Sequence, residues 1–150
     1  MTNVWKVNSA VVRNMEIKLI KYKQDIQLPK RYHHTDTGAD IFMPSDGRIG
    51  PRDTVIVKLG FGIVIPNGYT AKTQVRTSVA SKGILVETCA IDAEYTGEIS
   101  LILHNISYDT FTWKKGDRLA YIEVYPIVYP KFVEEFETPR DNNAFGSTGK

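Results

Sequence analysis

The stretch Ala90-Ile91-Asp92-Ala93-Glu94-Tyr95-Thr96-Gly97-Glu98-Ile99 decides the fold, because it sets an acidic and aromatic loop between two strand-like runs. Gly83-Ile84-Leu85-Val86 precedes it and Ile99-Ser100-Leu101-Ile102-Leu103 follows it, both apolar and both short. Runs of this length read as strands, and a loop fixed between strands is where a rigid frame presents reactive side chains. Asp92, Glu94 and Tyr95 are therefore the first candidates for chemistry.

Working outward, the same grammar recurs. Met15 to Lys21 alternates, with Ile17 and Leu19 set against Glu16 and Lys18. Gln27 to Asp40 reads as a polar loop entering the strand Ala39-Asp40-Ile41-Phe42, and Pro44 to Asp53 as a turn-rich connection. Thr54 to Leu59, Phe61 to Ile65 and Tyr69 to Val75 follow as strands, the last two separated by the turn Pro66-Asn67-Gly68. Thr110 to Trp113 leads through the turn Lys114 to Arg118 into a long run from Leu119 to Val128, which Pro126 and Pro130 push toward a sheet edge or bend. A helical turn is expected only around Ser78 to Lys82. Short strands at such spacing predict an all-β sandwich or barrel. Residues 1 to 14 read as an N-terminal extension and residues 139 to 150 as a mobile tail.

A chain of 150 residues is a single unit on size. No apolar run approaches the roughly 18 residues that a spanning helix needs, and Met1-Thr2-Asn3-Val4-Trp5-Lys6 lacks the pattern of a secretion signal. The single cysteine, Cys89, suits a reducing compartment and a cytoplasmic location. A net charge of +2 supplies no general field for nucleic acid, so any anion chemistry rests on local arginines.

Three segments carry more chemistry than structure requires. Arg76-Thr77-Ser78 offers a guanidinium and two hydroxyls that can hold phosphate oxygens, although a surface arginine before a helix cap gives the same letters. Asp92 can deprotonate a water beside the flat ring of Tyr95, although an Asp-initiated turn reads the same way. Arg140 with Phe145-Gly146-Ser147-Thr148-Gly149 can close over a phosphorylated ligand, where a disordered terminus is the plain alternative.

Together with Thr37-Gly38-Ala39-Asp40-Ile41 and Gly116-Asp117-Arg118-Leu119-Ala120, these segments resemble, in order, the five motifs of the trimeric deoxyuridine triphosphate nucleotidohydrolases, the dUTPases. The resemblance covers roughly residues 15 to 150. It implies an all-β, jelly-roll-like β-barrel over residues 15–138, an extension at 1–14, and a flexible arm at 139–150 that closes over a site shared within a homotrimer. It implies hydrolysis of dUTP to dUMP and pyrophosphate, with Asp92 activating water for attack on the α-phosphate and Tyr95 beneath the deoxyribose. The hairpin main chain at Val86, Cys89 and Ile91 would read the uracil edge. Arg76, Thr77 and Ser78 would hold phosphates, Arg140 with Gly146, Ser147 and Thr148 would close on the γ-phosphate, and Phe145 would cover the base. Mg²⁺, bound mainly by the triphosphate, would meet Asp40 through water.

The chain departs from the family pattern in places. Thr77 and Ser78 stand where Ser and Gly are usual, Tyr121 where Gln is common, and Asp141-Asn142-Asn143-Ala144 where glycines often precede the phenylalanine. Cys89 reads as a small packed side chain. Two other functions remain in view. The related dCTP deaminases need a glutamate where Ile102 stands here, an apolar residue with no proton chemistry, which argues against deamination. A regulatory nucleotide-binding protein with weak or no turnover is the second reading.

Overall fold

The computed structural model of the chain describes residues 15–135. Among these residues eleven strands and one short helix form. The strands are β1 (Lys18–Lys21), β2 (Ala39–Phe42), β3 (Gly47–Ile49), β4 (Thr54–Lys58), β5 (Phe61–Val64) and β6 (Tyr69–Val75). After the helix α1 (Thr77–Ala80) come β7 (Ile84–Val86), β8 (Ala90–Ile91), β9 (Ser100–Asn105), β10 (Phe111–Trp113) and β11 (Arg118–Pro126). All pairings are antiparallel. They make a four-stranded sheet in the order β2-β11-β6-β8, a three-stranded sheet β4-β9-β7, and the pairs β1-β5 and β10-β3. The architecture is all-β and jelly-roll-like.

Strand alternation produces the core directly. Along β9, Leu101, Leu103 and Asn105 point inward while Ser100, Ile102 and His104 face out. The inward set meets Ile41, Phe61, Ile63 and Ile84, all at most 2% exposed. Each such side chain contributes about 1.5–3 kcal/mol by leaving water. Asn105 is buried because it replaces missing ladder bonds: its Nδ2 donates to the carbonyls of Gly50 (2.9 Å) and Asp109 (2.7 Å), and its Oδ1 accepts from the Ser107 amide (3.0 Å).

Two expectations change. The turn-rich segment from Pro44 to Asp53 contains a strand, β3, whose partner β10 lies far away in sequence. The run ending at Pro126 is an interior strand rather than an edge. It tolerates proline because β2 pairs only with Arg118 to Ile122, so beyond that point β11 has β6 alone for a neighbour. Pro126 stands opposite Tyr69, at the last position of that ladder. The residues assigned to the extension, and the tail residues Arg140, Phe145, Gly146, Ser147 and Thr148, lie outside the described residues.

Candidate active site

The loop from Asp92 to Ile99 is stitched to the turn between β4 and β5. The Leu59 amide donates to the Ile99 carbonyl and the Ile99 amide to the Phe61 carbonyl, both at 2.9 Å. The Gly60 amide donates to Glu98 Oε1 at 2.9 Å, and the Tyr22 hydroxyl donates to the Thr96 carbonyl. Gly62 permits this approach, since a Cβ there would lie 2.7 Å from the Thr96 carbonyl oxygen. Within the loop the Tyr95 ring lies back over Gly97, where a side chain would collide with the phenol. The ring nevertheless stays half exposed.

This fixed loop forms one wall of a cleft of about 290 Å³ lined by Thr73, Cys89, Ile91, Asp92, Tyr95 and Glu98 among others. The Asp92 carboxylate is exposed, and among the described residues no hydrogen bond engages it. A carboxylate so placed is open to a water and to a ligand in the cleft. Ile91 lines this cleft, whereas Val86, at the end of β7, does not; the side chains of both are buried. Cys89 is not packed as expected: it is exposed, because only two residues of the segment pair as β8 and Cys89 falls in the unpaired turn before them. Thr88 ties that turn to β6 through its hydroxyl, 3.2 Å from Gln74 Oε1.

A second group assembles at the other end of the sheet. Asp40 on β2 receives a hydrogen bond from Arg118 Nη1 at 3.0 Å, and its other oxygen is 3.7 Å from Arg76 Nε. Arg76 Nη1 also donates to the Arg118 carbonyl at 3.2 Å, and the Tyr32 ring stacks on the Arg118 guanidinium with 4.8 Å to its centroid. The two arginines are thereby held side by side, each with donors left for an anion. Arg76 itself caps α1 with extended backbone and no side-chain cap. Thr77 and Ser78, inside the first turn, are exposed, and their side chains are not used as caps. Arg118 and Tyr32 are additions that sequence reasoning left without a role; the signal for Arg118 was its place directly after the Gly116-Asp117 turn.

Behind these groups the outward face of β11 carries Tyr121 level with Asp40 and Gln74, and Glu123 level with Lys72. Glu123 is 5% exposed, and its Oε2 is buried with no partner. Burial first, then the charge of Glu123 and a hydrogen bond to it, push the Tyr121 phenol above its ordinary value.

The register separates the two groups. Ile91 pairs with Ala71, so Asp92 stands level with Thr70, six positions before Arg76 along β6. At about 3.4 Å per residue that is roughly 20 Å along the sheet. Asp40 lies on the opposite edge of the sheet, since β2 and β8 form its two edges. The chain thus presents two separated half-sites, one with a carboxylate and a ring and the other with arginines and hydroxyls.

The chain is similar to known proteins over most of its length. The family pattern described as dUTPase matches residues 24–149. The deoxyuridine 5'-triphosphate nucleotidohydrolase of Ehrlichia canis is 35% identical over 144 residues, covering 89% of this chain and 94% of that protein. Among solved structures, a Staphylococcus bacteriophage 80alpha dUTPase with dUpNHpp matches with a TM-score of 0.81 at 27% identity, over 91% of this chain and 99% of that one. A dUTPase mutant from phage phi11 of S. aureus, described with a structural Mg(II) ion, matches with a TM-score of 0.77 at 25% identity, over 82% of this chain and 98% of that one.

Proposed function

The chain belongs to the dUTPase family, and from that premise we propose that it hydrolyses dUTP to dUMP and pyrophosphate at sites completed between copies of itself in a homotrimer. The observation that carries the reading is the pair of half-sites about 20 Å apart in one sheet, each supplying what the other lacks. In this reading the Asp92 cleft of one copy faces the arginine cluster of another, which brings the two halves onto one nucleotide. The exposed Val128, Tyr129, Phe132 and Val133 beyond β11 support association.

In this reading the hairpin main chain from Val86 to Ile91 takes the uracil edge, and the Tyr95 ring packs against the deoxyribose. Asp92 accepts a proton as a water oxygen bonds to the α-phosphorus, and the bond to the bridging oxygen breaks to release pyrophosphate. Arg76, Thr77 and Ser78 orient and neutralise the phosphates. Arg140, Phe145, Gly146, Ser147 and Thr148 belong to an arm that closes over the nucleotide. Mg²⁺ would supply charge neutralisation on the triphosphate. Asp40 fits a role beyond its direct coordination, because its oxygens already face Arg118 and Arg76 and retain lone pairs for a bridging water. The lone cysteine suits work in the reducing cytoplasm, and no helix among the described residues is long and apolar enough to cross a membrane.

Release of pyrophosphate from dUTP and Mg²⁺ tests the proposal, with dCTP as the control that excludes deamination if no ammonia forms. Binding of dUpNHpp without turnover of dUTP would replace it by the regulatory reading. That second reading draws on the 80alpha phage proteins, which are described as controlling transfer of virulence genes.

A further inference from the structure

On the outward face of the three-stranded sheet, His104 joins β9 to β4 and to the segment that follows β7 through its two ring nitrogens. Its Nδ1 lies 2.8 Å from the Thr54 hydroxyl on β4, the residue directly opposite in the ladder. Its Nε2 lies 3.3 Å from Glu87 Oε2 in the segment after β7. An ionised carboxylate only accepts, so Nε2 carries the proton toward Glu87, and in the neutral ring Nδ1 then accepts from Thr54. Glu87 is the first residue of the turn Glu87-Thr88-Cys89 that leads into β8 and the Asp92 cleft. Its amide is held by the Ile102 carbonyl at 2.9 Å, so main chain and side chain of one residue are fixed from β9. The next residue is fixed from the opposite sheet through Thr88 and Gln74. Cys89 follows with no such tie and lines the cleft. The hairpin tip is thus suspended between two anchors, one of them ending at His104.

We propose that His104 is a positioning residue for nucleotide binding, acting through Glu87 to hold the 86–91 hairpin in the shape that accepts a pyrimidine. The inference rests on the assignment of that hairpin to base recognition. His104 touches no ligand: it stands four ladder positions beyond Ser100, the residue of β9 that lines the cleft on the same outward face. Its effect belongs in affinity and base selectivity, not in the chemical step. Glu87 is more than half exposed, which limits the size of the effect to that of a solvent-accessible pair.

The test compares His104→Phe, which keeps the ring and removes both polar contacts, with His104→Gln, whose amide can still donate to Glu87. His104→Phe should weaken dUpNHpp binding about two- to fivefold, speed hydrogen exchange at the amides of Thr88 to Ile91, and narrow the preference for dUTP over dCTP. His104→Gln should recover most of each change, and kcat should stay near wild type in both. Unchanged binding and exchange in His104→Phe would overturn the proposal, as would a loss confined to kcat, or faster exchange with unaltered binding. Failure of the wild-type chain to turn over dUTP would sink the hydrolase reading alone, because dUpNHpp affinity and exchange still decide the role of His104.

Discussion

Asp92 presents an exposed carboxylate to its cleft, with no hydrogen bond to it among the described residues, so Asp92→Asn separates chemistry from shape. The expected result is a fall in kcat of about a hundredfold or more with dUpNHpp affinity retained; turnover near wild type would remove Asp92 from the role of base. Two positions further on, Glu94 adopts φ 72, a left-handed conformation that costs a side chain roughly 1 kcal/mol. Glu94→Gly should therefore raise stability by a few tenths to about 1 kcal/mol, measured from urea midpoints, the gain being trimmed by glycine's greater freedom when unfolded. A lower midpoint would mean that the Glu94 side chain stabilises the loop by more than its backbone strain. Tyr121 bears on pH. Its phenol is raised in the folded state, so the native chain keeps the proton that the unfolded chain loses first, and stability falls as pH rises from about 10 through the raised value. Tyr121→Phe should flatten that alkaline decline in melting temperature, and an identical decline would assign it to other groups.

The elements show what the sequence could and could not reveal. Period-two alternation made β1 and β6 readable, and short runs rich in apolar and β-branched residues made β4, β5 and β9 readable. The strand β3 escaped because three residues among prolines, glycines and charges carry no period, and only its pairing with distant β10 makes it a strand. The interior position of β11 escaped for a related reason: proline reports a missing donor locally, whereas the number of neighbours at that level depends on where β2 stops. In the site, Asp92 and Tyr95 were legible from a loop between strands, but the Asp40–Arg118–Arg76 cluster needed three segments brought together by the sheet. Gly62 in β5 is where the Asp92 loop packs against the sheet. Gly62→Ala places a methyl against the carbonyls of Thr96 and Gly97, neither of which can yield as a side chain would. The cost should be about 1–3 kcal/mol of stability, accompanied by a lower kcat/KM as the loop shifts; unchanged values would show that the loop is not seated by β5.

For the whole molecule, the separation of the half-sites makes a prediction that no single residue makes. If each site takes Asp92 from one copy and Arg76 from another, chains carrying Asp92→Asn or Arg76→Ala should each be nearly inactive alone. Unfolded, mixed in equal amounts and refolded, they should form mixed trimers in which some sites meet an intact Asp92 and an intact Arg76. With random assembly and closed symmetry, about a quarter of sites qualify, so activity should rise to about a quarter of wild type while each variant refolded alone stays inactive. Sedimentation of the mixture should show one trimeric species throughout. Activity that never exceeds that of the separate variants, in a mixture proved to contain both chains, would return both halves of the site to a single chain, and the roughly 20 Å between them would then demand a rearrangement of β6 and β8 on binding.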